Sequence, residues 1–116
     1  MKFVPGEAEW PSFTALLEFR RKLAAEVGLR LDEMDGFGGT TPWSTVADPI
    51  APLLMLEDVS GSLPVGVCAT VAARLEQLTR HWRADDADVP RAAALAAALQ
   101  LAARWRQRLR FQGDEG

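Results

Sequence analysis

The chain has few of the side chains that build reactive centres. It holds one cysteine, Cys68, and one histidine, His81. A single cysteine excludes an intrachain disulfide and all but excludes a thiolate zinc site, which needs several sulfur ligands. No segment approaches the roughly 18 uninterrupted apolar residues of a membrane-spanning helix. The opening residues, MKFVPGEAEW, lack the apolar core of a signal peptide. The expected compartment is the cytosol. β-Branched residues are scattered, with no sustained apolar/polar alternation, so no strand is expected. Positive charge is in deficit too. The formal net charge is −3, which disfavours a generic electrostatic grip on nucleic acid or anionic lipid.

What is present suits an ordinary globular protein. At 116 residues the chain is sized for one domain. With 48% hydrophobic content it has enough apolar surface to offset the entropy of ordering. Charge is unevenly spread. Residues 1–65 carry 5 basic and 10 acidic side chains, and residues 66–116 carry 8 and 6. Part of the basic share clusters as Arg104, Arg106, Arg108 and Arg110.

Periodicity predicts helices. Ser12 is placed to cap a helix over 12–27, with Phe13, Leu16, Leu17, Leu23 and Val27 at helical spacing, Phe19 and Ala24 widening the face, and Gly28 as the stop. A helical turn is expected at LDEMD, residues 31–35, followed by the loop GFGGTTPW, whose Phe37 and Trp43 fold inward and pin it. Asp48 and Pro49 read as the N-cap and first residue of a short helix ending near Leu56. A third helix runs from about Pro64 to Trp82 on the stripe Val67, Val71, Leu75, Leu78, Trp82. A fourth runs over about 90–111, burying Leu95, Leu99, Ala102, Trp105 and Leu109. Its alanines permit close helix packing. The predicted fold is all-α: a single-domain bundle over 1–116, with three long helices, one short helix and an ordered glycine-rich loop. Residues 1–11 and 112–116 are flexible ends in this reading, although Trp10 is placed to staple onto the first helix.

No motif assembles a reaction centre. The acidic loop MLEDVSGSLP resembles a calcium loop only superficially. With Gly61 at the sixth position, the first and twelfth fall on Leu56 and Val67, where calcium needs carboxylates. It reads as a helix-to-helix turn with Gly61 at the bend and with Glu57 and Asp58 as an acidic contact. GFGG lacks the spacing and the preceding strand of a phosphate fingerprint. His81 and Asp85 are four apart and would share a helical face, as a base or metal pair would; a solvated helix end is the plainer reading. Cys68 reads as a small buried apolar side chain. Arg104 and Arg108 share a face near a helix C-terminus, where cations suit the dipole. They also suit an acidic partner surface. Four tryptophans is a high count, and an exposed one would mark a contact surface.

The segments LDEMDGFGGTTPW, DPIAPLL, EDVSGSL and CATVAARLEQL, with Trp82 and a final LRF, resemble a family of small uncharacterised bacterial proteins. Members carry a GFGG–Trp segment and a Pro-Leu-Leu helix. A loop of the type His-Ser-Asp-Cys-Asp-Gly-Glu-Leu follows, and then Thr-Pro-Glu-Glu-Cys. Against that pattern Asp58, Gly61, Leu63 and Cys68 match. Leu56, Val59 and Ser60 replace histidine, cysteine and aspartate. The resemblance implies a shared fold, and implies that any metal or thiol chemistry of that loop is missing here.

The expectation is a non-enzymatic protein-binding or accessory protein, possibly of the immunity type. It has no catalytic residues, metal or cofactor, and it is a monomer or homodimer. The contact surface is drawn from Phe37, Trp43, Glu57, Asp58, Arg104 and Arg108. The alternatives are a small enzyme or ligand-binding protein using His81, Asp85 and Cys68, and a self-assembling component joined through the alanine face.

Overall fold

The computed structural model describes residues 2–56 and 61–112. Its elements in order are β1 (Lys2–Val4), α1 (Phe13–Glu26), α2 (Ala51–Leu54), β2 (Ser62–Leu63), α3 (Val65–Thr79), α4 (Asp88–Trp105) and β3 (Leu109–Gln112). Single 3₁₀ turns lie at Leu31–Glu33 and Trp43–Thr45.

The first helix forms where its caps dictate. Ser12 Oγ accepts from the Ala15 amide at 3.1 Å. At the other end Gly28 turns left-handed, with φ of 76°. The amides of Gly28 and Leu29 then bond back to the carbonyls of Ala25 and Ala24, a paired closure that a β-carbon at Gly28 would strain. α1 buries Leu16, Phe19, Leu23 and Ala24, and with them Arg20. α3 and α4 pack against each other. α3 contributes Val71, Ala72, Leu75 and Leu78 to the core, and α4 contributes Ala92, Leu95, Ala96, Ala98, Leu99 and Ala102. α3 stops at Thr79, three residues short of the predicted end. α4 starts at Asp88, whose amide is capped by the side chain of Asp86 at 2.9 Å.

The fold is mostly helical but not all-α. A three-stranded antiparallel sheet of order β1-β3-β2 joins the two termini to the middle of the chain. Phe3 pairs with Phe111, and Leu63 with Leu109. Strands this short show no readable alternation: β1 lies in the stretch expected to be a flexible end, β2 in the expected turn around Gly61, and most of β3 in the expected last helix. The last helix was predicted to reach residue 111. It ends instead where Arg106 adopts φ of 55° and ψ of 42°, and where the amides of Arg106 and Gln107 close onto Ala103 and Ala102. Neither glycine nor proline marks that stop. Leu109 is buried, as expected, but from a strand. Trp105, assigned to the core, is 54% exposed because the chain turns away directly after it.

The stretch 1–11 is not a loose end over its described residues. Phe3, Ala8 and Trp10 are fully buried. Trp10 stacks on Phe19 with ring centroids 4.7 Å apart, and an edge of Phe3 meets it at 6.0 Å. Its indole N–H donates to Asp88 at 3.1 Å. Lys22 ties the same corner to Asp86 and Asp88 at 2.7 and 3.0 Å, with its ammonium 4.5 Å above the Trp82 ring.

Candidate binding cleft

The GFGG segment folds back on the turn before it. The Asp35 amide donates to Thr41 at 2.9 Å, and the Thr41 amide to Glu33 at 3.0 Å. Gly36 and Gly38 have φ of 89° and 100°, a region that residues with a β-carbon rarely occupy. Gly39 is needed for space: a β-carbon there would lie 2.1 Å from the carbonyl of Glu33. This tight loop holds Phe37 and Trp43 edge to face, centroids 5.9 Å apart at 72°. The Trp43 indole N–H donates to the Asp35 carbonyl at 2.9 Å and fixes the ring.

The aromatic pair stands beside α1, and a cleft of about 660 Å³ opens between them. Phe13, Leu17, Arg20 and Arg21 form its helical wall. They fall on one helical face by their spacing. Asp32, Asp35, Gly36, Phe37 and Trp43 form the loop wall, and Met55 and Leu56 the end. Met55 is 42% exposed.

Arg20 lies at the base. Among the described residues it is the only charged side chain that is buried. Its Nη1 donates to the carbonyl of Leu56 at 2.6 Å and reaches that of Leu54 at 3.4 Å. Arg20 therefore satisfies carbonyls that the short α2 leaves open at its C-terminus. Its guanidinium carbon is 5.3 Å from the Phe37 ring centroid. Burial pulls its pKa down to about 10, so it stays cationic at neutral pH. Neighbouring Arg21 is engaged by Asp32 at 2.9 Å and by Glu18.

Of the residues predicted for the site, Phe37 and Trp43 come together here. Glu57 and Asp58 lie outside the described residues. Arg104 and Arg108 do not line the cleft, and the helical face they were to share is broken by the turn at Arg106. Arg108 instead donates from Nε and Nη2 to Ser62 Oγ, at 3.2 and 2.9 Å. Arg20 went unremarked, yet its signal was present. It sits four residues after Leu16 and three before Leu23, inside the apolar stripe, where a charged residue needs a reason.

The His81–Asp85 pairing does not form. α3 ends before His81, which is exposed and meets Glu26 at 3.1 Å, while Asp85 pairs with Arg83 at 3.1 Å. The Trp82 indole also donates to Glu26, at 3.0 Å. Cys68 is fully buried, its thiol donating to the Pro64 carbonyl at 3.3 Å, and burial pushes its pKa up. Among the described residues no group of three or more His, Cys, Asp or Glu is placed to hold a metal ion. No helix among them is long and apolar enough to cross a membrane. Compared with protein-family models, curated proteins and solved structures, the chain matches none.

Proposed function

We propose that this is a non-enzymatic binding protein, located in the cytosol, that receives a segment of a partner protein in the cleft between α1 and the 31–46 loop. The observation that carries this reading is the Phe37–Trp43 pair, half-buried and locked in place at the mouth of a cleft that is already open. A rigid aromatic pair loses little conformational entropy on binding, and aromatic side chains dominate the energetics of protein interfaces. Met55 extends the apolar strip at one end of the cleft. The separation of His81, Asp85 and Cys68, each with its own local partner, supports a binding role over catalysis.

The test compares tagged wild-type protein with Phe37→Ala and Trp43→Ala as baits in extracts of the native host. The expected result is one stoichiometric partner recovered by the wild type, its cross-links mapping to the cleft, and lost about tenfold or more with either variant. Equal recovery by all three baits would remove the cleft from consideration. A small-molecule ligand is the second reading. It is favoured by the cleft volume of about 660 Å³, which falls among ordinary ligand pockets.

A further inference from the structure

The end of α4 and the strand after it carry arginine at alternate positions, Arg104, Arg106, Arg108 and Arg110, all of them exposed. Elsewhere Arg21, Arg74, Arg83 and Arg91 each have a carboxylate partner. Among the described residues none of the four at this end has one. Leu109 is buried, so Arg108 and Arg110 stand on the outer face of the sheet, about 7 Å apart along β3. Val4 and Ser62 flank Arg110 in register. A groove of about 450 Å³ runs between Val4, Pro5, Gln107, Arg108 and Arg110, with no acidic side chain in its lining. Arg108 gives its Nε and Nη2 to Ser62 Oγ, a neutral acceptor that a carboxylate would outbind. Trp105 lies between Arg104 and Arg106, and among the large apolar side chains of the described residues only Met55 is exposed as it is.

We propose that this face is a second contact surface, separate from the cleft, that takes an acidic segment of a partner protein in extended conformation. Alternate side chains of such a segment recur at about the same 7 Å, so two carboxylates meet Arg108 and Arg110 while an apolar residue covers Trp105. Arginine and tryptophan are the side chains enriched where protein interfaces draw most of their binding energy. Charge complementarity steers the encounter and fixes the register. A longer polyanion fits less well. Glu9 is exposed beside Lys2, on the edge of β1 away from β3, and residues 1–65 carry 5 basic and 10 acidic side chains. Nucleic acid or an anionic bilayer reaching past the arginines therefore meets negative charge. The cleft and this face share no lining residue, so neither reading rests on the other.

The full-length protein is titrated with the acetylated peptide Glu-Thr-Glu-Thr-Glu-Leu and with its neutral counterpart Gln-Thr-Gln-Thr-Gln-Leu, following the Trp105 indole N–H and the Arg108 and Arg110 Nε–H resonances by NMR. The acidic peptide is expected to shift all three saturably and to bind about tenfold or more tighter than the neutral one. Arg108→Gln/Arg110→Gln should abolish that preference, and Trp105→Ala should weaken binding. Phe37→Ala, in the cleft, should leave it unaltered. Asp114→Asn/Glu115→Gln, which neutralises the acidic residues that follow β3 in the sequence, should leave the preference intact. Equal binding of the two peptides, or a preference that survives Arg108→Gln/Arg110→Gln, would overturn the proposal and leave the cleft reading standing. Tighter binding of a short oligothymidylate, or of phosphatidylserine vesicles, at physiological salt would overturn it in favour of nucleic acid or membrane. Acid binding that appears only in Asp114→Asn/Glu115→Gln would show that the chain covers these arginines itself, and would overturn the proposal for the native protein. Should Arg108→Gln/Arg110→Gln fail to fold, the resonances that shift in the native protein still decide the question.

Discussion

Gly39 lies so close to Glu33 that a β-carbon on it would meet the Glu33 carbonyl carbon and oxygen at 2.1 Å. Both atoms are backbone, so no side chain can swing aside. Gly39→Ala is expected to spring the loop that holds Phe37 and Trp43, costing about 1–3 kcal/mol. Ligand or partner binding should weaken more than global stability does. The measurement is the Trp43 indole N–H resonance, which should lose its hydrogen-bonded shift, alongside a denaturant melt. An unchanged resonance would mean the loop does not need that close approach.

Arg106 holds a left-handed backbone at the end of α4, a conformation that suits glycine better than any residue with a β-carbon. Arg106→Gly should therefore stabilise the protein, by up to about 1 kcal/mol after the added unfolded-state entropy of glycine is deducted. Urea melts would show a higher midpoint with an unchanged slope. A lower midpoint would mean that the Arg106 side chain contributes more than its backbone strain removes.

Asp48 is held below the ordinary aspartate range chiefly by the hydrogen bonds from Arg74, with the Ile50 amide adding to them and burial opposing. Asp86 is lowered likewise, first by Lys22 and then by the Asp88 amide. A carboxylate whose folded pKa is depressed stabilises the fold above its unfolded value, near 4, and that stability is lost as pH falls through the folded pKa. Melting temperature should thus be flat near neutrality and fall below about pH 4. Asp48→Asn should start lower at neutral pH and fall less steeply in acid. Parallel acid limbs for the two proteins would show that Asp48 does not drive the acid transition.

Trp10 joins Phe3, Phe19 and Asp88, and so ties β1 to α1 and to the start of α4. Trp10→Ala should cost about 3–5 kcal/mol, a large share of a small domain's stability. Trp10→Phe keeps most of the ring but removes the indole donor to Asp88, which Lys22 still holds, and should cost about 1 kcal/mol. A chemical melt resolves the two. Near-neutral Trp10→Ala would mean the N-terminal stretch contributes little to the fold.

The helices were legible because their causes are local. Ser12 and Gly28 bracket α1, and apolar residues recur at three and four along the long helices, so each is signalled within its own few turns, although the start of α4 falls two residues ahead of the expected 90. The loop role of GFGG was legible as well, since glycine announces unusual backbone geometry. The strands were not legible. β1, β2 and β3 span three, two and four residues, and each exists only because residues far apart in sequence lie alongside one another. The turn at Arg106 is of the same kind: pairing of β3 with β1 and β2 overrides helix propensity there.

By itself, then, the sequence determined the long helices, the glycine loop, the burial of Cys68 and the poverty of reactive side chains. These follow from propensity, periodicity and composition. Tertiary structure alone decided that Lys2–Val4 and Leu109–Gln112 enter one sheet, that His81 meets Glu26 and not Asp85, that Trp105 is exposed, and that a buried Arg20 bonds the carbonyls of Leu54 and Leu56 beside Phe37. Those outcomes depend on which distant backbone and side-chain groups become neighbours, and such proximity is set only when the whole chain has packed.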